Sequence, residues 1–156
     1  MKYVISILMD DKIGALARIT ELFTSRGYNV DSICSGEAEN VGTHRLTLVT
    51  GGDDQRINHI LKLLKNIVYI FEVTLLKPDD SVSLELMLIK VKMNSENRAR
   101  IIQLANAYEA SIIEMNGKSA SFRVVGSASL LDGMTDVFRE FEIIELSRTG
   151  EAAIHK

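Results

Sequence analysis

Few residues of this chain have the types and spacing that chemistry needs. Its three histidines, His44, His59 and His155, are scattered, and no Cys or His recurs at metal-ligand spacing. The single cysteine, Cys34, has no basic neighbour in sequence to draw off its proton, which suits a small strand residue better than a nucleophile. The acidic pairs Asp10-Asp11, Asp53-Asp54 and Asp79-Asp80 fall where loops meet helix starts, the place of solvated caps. Gly126-Ser127-Ala128-Ser129 has the small residues of a phosphate loop but lacks its Gly-Lys-Ser/Thr ending, and reads as a strand-to-helix turn with Ser127 as N-cap. Arg148-Thr149-Gly150 either contacts a partner or ends the last strand. No catalytic constellation emerges.

One stretch differs, and its chemistry belongs to the backbone. Asp10-Asp11-Lys12-Ile13-Gly14-Ala15-Leu16-Ala17-Arg18 is a short polar turn that ends in Gly and opens directly into a helical pattern. The first N–H groups of a helix have no acceptor within it, and the helix dipole puts positive potential behind them, so such a turn is a natural seat for a small anion. Asn29 begins the segment after that helix, and its amide both donates and accepts, which suits a zwitterion. On the residues alone two readings stay open: a binding turn, or a Gly14 that only permits the turn and an Asn29 that only caps it.

The elements that must position these residues follow from periodicity. Tyr3–Met9 reads as an apolar strand, Leu16, Ile19, Leu22 and Phe23 as one face of a helix ending at Arg26-Gly27, and Tyr28–Ile33 as the start of a second strand. Thr43–Thr50 alternates and ends in Gly51-Gly52-Asp53-Asp54, a turn and helix cap, after which Ile57, Ile60, Leu61 and Leu64 make a helical stripe. Ile67–Leu76 closes the set, with Ile67, Tyr69, Phe71, Val73 and Leu75 on one side. The order βαββαβ predicts a ferredoxin-like unit, an antiparallel four-stranded sheet with two helices on one face.

Lys77-Pro78-Asp79-Asp80-Ser81 holds the only proline and no apolar residue, so it is the expected linker between a domain of residues 1–76 and one of 82–156. The order then repeats: a strand over 82–93, a helix capped by Asn94-Ser95-Glu96, strands on either side of the hairpin turn Asn116-Gly117, a helix striped by Leu130, Met134, Val137, Phe138 and Phe141, and a strand over 143–146. The apolar phase changes within 82–93, which predicts a bulge or burial on both faces. The fold class is therefore α+β, two tandem ferredoxin-like units. Each has about 75 residues and a limited core, so pairing between chains is expected.

Composition excludes several roles. The 156 residues carry a net charge of −3 without any Lys/Arg-rich block, which argues against nucleic acid as the main partner. No apolar run approaches the roughly 20 residues that span a bilayer. Met1-Lys2-Tyr3 runs straight into a strand, leaving no room for a targeting peptide, and one cysteine excludes an internal disulfide; a cytoplasmic location is expected.

Ile13–Ile19, Leu22-Phe23 and Arg26-Gly27-Tyr28-Asn29-Val30-Asp31-Ser32-Ile33 resemble the signature of amino-acid-binding ACT domains, and more narrowly that of acetohydroxyacid (acetolactate) synthase small regulatory subunits. Arg45-Leu46-Thr47, Gly52-Asp53-Asp54, Glu85–Val91 and Arg148-Thr149-Gly150 also match, so the resemblance spans nearly the whole chain. It implies a non-catalytic subunit that binds valine or another branched-chain amino acid, activates a separate catalytic subunit and confers feedback inhibition on it. It further implies that thiamine diphosphate, Mg²⁺ and flavin reside in that catalytic subunit and none in this chain, and that the ACT domain forms a homodimer. Carried over by position, Asp11, Ile13, Gly14, Ala15 and Leu16 would form the loop and helix start of the effector site, with the N–H groups of Gly14 and Ala15 on the carboxylate. Asn29, Val30 and Ile33 would come from the facing protomer. Asp11 and Ile13 are the positions of that loop where this chain departs from the residues usual in the family. A stand-alone ACT-type sensor of another enzyme or of a transcriptional regulator would share the first domain.

Overall fold

Apolar alternation and helical stripes become two units with the same strand order. The computed structural model describes residues 1–156. The first half holds β1 (Lys2–Asp10), α1 (Ala15–Ser25), β2 (Ser32–Glu37), β3 (Thr43–Gly51), α2 (Asp54–Lys65) and β4 (Ile70–Leu76). The second holds β5 (Ser81–Lys92), α3 (Arg98–Ala107), β6 (Ser111–Met115), β7 (Ser119–Gly126), α4 (Ala128–Phe138) and β8 (Ile143–Arg148), and β9 (Ala152–His155) ends the chain. The sheets run β2-β3-β1-β4 and β6-β7-β5-β8, all antiparallel, so each half is the split βαββαβ arrangement that the sequence predicts.

Residues 1–83 together with 151–156 form one compact unit, and residues 84–150 the other. The C-terminal tail therefore lies with the first unit, where the sequence placed it in the second. Hydrogen bonds explain its return: the Ala153 N–H donates to Thr47 Oγ1 at 3.2 Å and the Lys156 N–H to the Asp80 carbonyl at 3.0 Å.

In the first unit Ile5, Ile7, Leu46 and Leu48 face the helices and pack on Ala15, Ile19, Phe23, Ile57, Ile60 and Leu64. The helical stripe of α1 is thus Ala15-Ile19-Phe23, and Leu16, expected on it, is exposed. Ser6, Thr47, Val49 and Leu76 point to the opposite face yet are also buried, with Ala153 of the tail. A bulge where β4 passes from Leu8 to Met9 of β1 leaves Phe71 unpaired and turned into solvent, against the alternation expected of it.

In the second unit Met87, Ile89, Val91 and Met93 form the sheet side of the core with Ile101, Ala105, Leu131, Met134 and Phe138 of the helices. The buried side of α4 carries Leu131 rather than Leu130, which stays exposed. Strand β5 keeps an unbroken register with β7 from Glu85 to Lys92, but its register with β8 shifts between Lys90 and Val91, where Ile144 of β8 is skipped; the expected irregularity is thus present on the β8 side, and burial is one-sided. Odd positions are buried while Leu84 and Leu88 remain partly exposed on the other face.

Candidate functional site

The turn between β1 and α1 is fixed by its own backbone. Gly14 is the N-cap of α1 at φ +90, ψ −6, a left-handed conformation that glycine adopts without a Cβ penalty. The Asp11 N–H donates to the Gly42 carbonyl at 2.9 Å, which ties the turn to the loop before β3, and the Asp10 N–H donates to the Tyr69 carbonyl at 2.9 Å. The Lys12 ammonium pairs with Asp10 at 2.9 Å, a contact that raises its pKa, and lies 5.9 Å from the centre of the Tyr69 ring. Lys12 is thus turned back on the turn, while Asp11 keeps an exposed carboxylate 3.6 Å from His44 Nε2.

The helix start itself is left open. No side chain caps α1, and the N–H groups of Gly14, Leu16 and Ala17 donate to no backbone acceptor. The Ala15 N–H is different: it donates to the Lys12 carbonyl at 3.0 Å, closing the turn, so it is not free for a ligand as the resemblance implied. The first helical bond runs from the Arg18 N–H to the Gly14 carbonyl at 3.0 Å. Ile13 and Leu16 present apolar surface beside these donors; Ile13 is fully exposed at 105%. Next to them a hollow of about 160 Å³ is lined by Asp11, Glu37, Glu39, Asn40, Gly42 and His44. Arg45 pairs with Glu39 at 2.8 Å and lowers its pKa together with a backbone hydrogen bond, the larger cause. Asp11 joins the turn with the open backbone donors to this hollow of carboxylates.

Asp11, Ile13, Gly14, Ala15 and Leu16 are thus brought together, and Asn29, Val30 and Ile33 are not brought to them within one chain. They lie at the other end of α1, whose 11 residues span about 16 Å. The sheet agrees: Ile33 stands opposite Leu48 and Leu48 opposite Ile5, whereas Glu37 stands opposite His44 and His44 opposite Met9, beside the turn. Asn29 is exposed and its Nδ2 donates to Asp31 Oδ1 at 2.9 Å. Val30 and Ile33 are half-buried against the helix-side core.

The remaining chemical candidates are accounted for internally. Ser127 caps α4, accepting the Leu130 N–H. Arg148 does not project toward a partner. It forks onto Glu85, a carboxylate only 6% exposed, at 2.9 and 2.6 Å, and also binds Asp132 and the Ala128 carbonyl. These carboxylates hold its guanidinium charge more firmly than usual. The Gly150 N–H adds a further bond to Glu85 Oε1 at 3.1 Å. Cys34 is a free thiol in β2, no three His, Cys, Asp or Glu side chains gather as a metal site, and no helix is long and apolar enough to cross a membrane. Sequence reasoning passed over two residues that touch the Asn29 segment, Thr50 and Arg56. No motif marks them, and only strand pairing and helix packing bring them there.

A βαββαβ unit whose first helix opens on an uncapped glycine turn is of the ACT type, and residues 5–72 match the family model of the AHAS small subunit-like ACT domain. Residues 84–156 match a second model, the small subunit of acetolactate synthase. A probable acetolactate synthase small subunit of Methanothermobacter thermautotrophicus is 35% identical over 99% of this chain and 92% of its own length. The acetolactate synthase small subunit of Mycolicibacterium smegmatis is 29% identical, over 99% of this chain and 91% of its own. The crystal structure of the acetolactate synthase small subunit from Thermotoga maritima superposes with a TM-score of 0.93 at 30% identity, covering 100% of this chain and 98% of that one. The chain belongs to the acetolactate synthase small-subunit family.

Proposed function

We propose that this chain is the non-catalytic regulatory subunit of a cytoplasmic acetolactate synthase, that it activates the catalytic subunit, and that it carries feedback inhibition by valine. The observation that carries this reading is the open start of α1. Three N–H groups without acceptors, at Gly14, Leu16 and Ala17, face the place where an amino acid's carboxylate would sit, and the acidic wall at Asp11, Glu37 and Glu39 suits its ammonium group. Ile13 and Leu16 supply apolar contact for an isopropyl side chain. Thiamine diphosphate, Mg²⁺ and flavin belong in this reading to the catalytic subunit.

The site is completed by a second copy. β2 is an edge strand with unpaired backbone groups along its outer side. Antiparallel pairing of two β2 strands about a two-fold axis sets the Ser32 end of one against the Glu37 end of the other. That operation carries Asn29, Val30 and Ile33 of one protomer to the Asp11–Leu16 turn of its neighbour, which one chain cannot do alone. Because two chains then build one site, ligand binding and the arrangement of protomers are thermodynamically linked, with coupling energies of roughly 1–3 kcal/mol typical of such systems. Inhibition follows if valine prefers the arrangement that lowers catalytic-subunit activity.

Reconstitution with the catalytic subunit tests the function. Acetolactate formation should rise on adding this chain and fall when valine is then added, with leucine and isoleucine as comparisons. A chain that neither associates with the catalytic subunit nor alters its rate would instead be a stand-alone sensor, and the proposal would fail.

A further inference from the structure

The segment that carries Asn29 is held from several sides by residues outside the turn. Past the end of α1, Gly27 turns the chain at φ +65, with the Gly27 N–H on the Thr24 carbonyl at 3.1 Å and the Tyr28 N–H on the Phe23 carbonyl at 2.8 Å. Arg56, from the first turn of α2, lays its guanidinium over the Tyr28 ring at 4.6 Å and donates from Nη2 to the Gly27 carbonyl at 3.2 Å. Thr50, fully buried near the end of β3, donates its hydroxyl to the Asn29 carbonyl at 2.5 Å. Beyond it the Asp31 N–H donates to the Val49 carbonyl at 2.8 Å. The backbone is thus pinned at residues 27, 29 and 31, while the side chain of Asn29 stays exposed.

Both residues spend their polar groups on the backbone of this segment. At Thr50 a valine would fill the same space among buried strand neighbours, and what the hydroxyl adds is the bond to the Asn29 carbonyl. At Arg56 the Nε–H is buried with no acceptor, a feature that opposes folding rather than favouring it. What the guanidinium gains in return is its stack on Tyr28 and its bond to Gly27, one and two residues before Asn29.

We infer that Thr50 and Arg56 are positioning residues of the effector site: acting through the backbone of Gly27–Asn29, they hold the Asn29 amide where the neighbouring protomer's bound amino acid meets it. The inference rests on the cross-chain site proposed above. Neither side chain touches the ligand.

The test is calorimetric titration of L-valine into the full-length homodimer, with light scattering to confirm that each variant remains dimeric. Thr50→Val and Arg56→Gln should each weaken valine about tenfold. Thr50→Ser, which keeps the hydroxyl, should bind as the unmodified chain does, and a merely space-filling role would not produce that rescue. In an Asn29→Ala background, Thr50→Val and Arg56→Gln should add little further loss, because their effect passes through Asn29. Full-strength binding by Thr50→Val and Arg56→Gln, alongside weak binding by Asn29→Ala, would overturn the positioning role and leave the site standing. So would losses that add fully to that of Asn29→Ala. Equal binding by Asn29→Ala and the unmodified chain, or no valine binding at all, would overturn the cross-chain site and this inference with it.

Discussion

The start of α1 and the corner around α4 in the second unit are both polar, and they treat their polar groups in opposite ways. At α4, Ser127 caps the helix, and Arg148 joins Glu85, Asp132 and the Ala128 carbonyl in one closed network. At α1, Gly14 carries no side chain to cap the helix, and three N–H groups go unmet. α2, in the same unit as α1, is closed by Asp53, whose Oδ1 accepts the Arg56 N–H at 2.8 Å. A side chain thus accepts one first-turn N–H at α4 and at α2, and none does so at α1. An open start is tolerated because it lies at the surface, where water satisfies it.

In stability, that contrast breaks most strongly at its closed end. Arg148→Met would leave the buried Glu85 carboxylate with only the Gly150 N–H, and should lower unfolding free energy in a denaturant titration by about 2 kcal/mol, below the fully buried case because Arg148 is partly exposed. Valine affinity should not change. Closing the open end comes next. Gly14→Asp puts a carboxylate where the ligand's belongs; no atom lies within 4 Å of the new Cβ, but the positive φ costs an L-residue about 1–2 kcal/mol, so a denaturant titration should show a modestly less stable fold while calorimetry shows valine binding weakened by more than about 100-fold. Unchanged affinity would remove the turn from the site.

Smaller effects sharpen the same comparison. Ser127→Ala opens the start of α4 and should cost about 1 kcal/mol of stability without creating a second valine site, read by calorimetric stoichiometry. Asp11→Asn removes part of the acidic wall and should weaken valine by no more than about fivefold, as befits an exposed charge.

Much of the fold was legible because burial leaves a periodic trace. Ile57, Ile60 and Leu64 marked α2, and Asn116-Gly117 marked its hairpin, where Asn116 Oδ1 accepts the Lys118 and Ser119 N–H groups. The errors came where one face had a choice of occupant. Spacing from Ile19 and Phe23 points Leu16 inward, yet Ala15 is the buried residue of that first turn and Leu16 is exposed. Phe71 was placed inward by counting twos, and a bulge broke the count. The phase change in β5 lies beside a register shift against β8, in an alternating strand whose outer face is unusually apolar.

The sequence by itself determined the doubled βαββαβ order and the turn at Gly14, which are written in local spacing, and its motifs carried the resemblance to the family. Tertiary structure decided what that turn offers: the Ala15 N–H is spent on Lys12, and the donors left free are those of Gly14, Leu16 and Ala17. It also decided that Arg148 faces inward, that the tail covers the first sheet, and that Thr50 and Arg56 grip the Asn29 segment. These are contacts between residues far apart in sequence, and no period or motif records which strand end meets which helix.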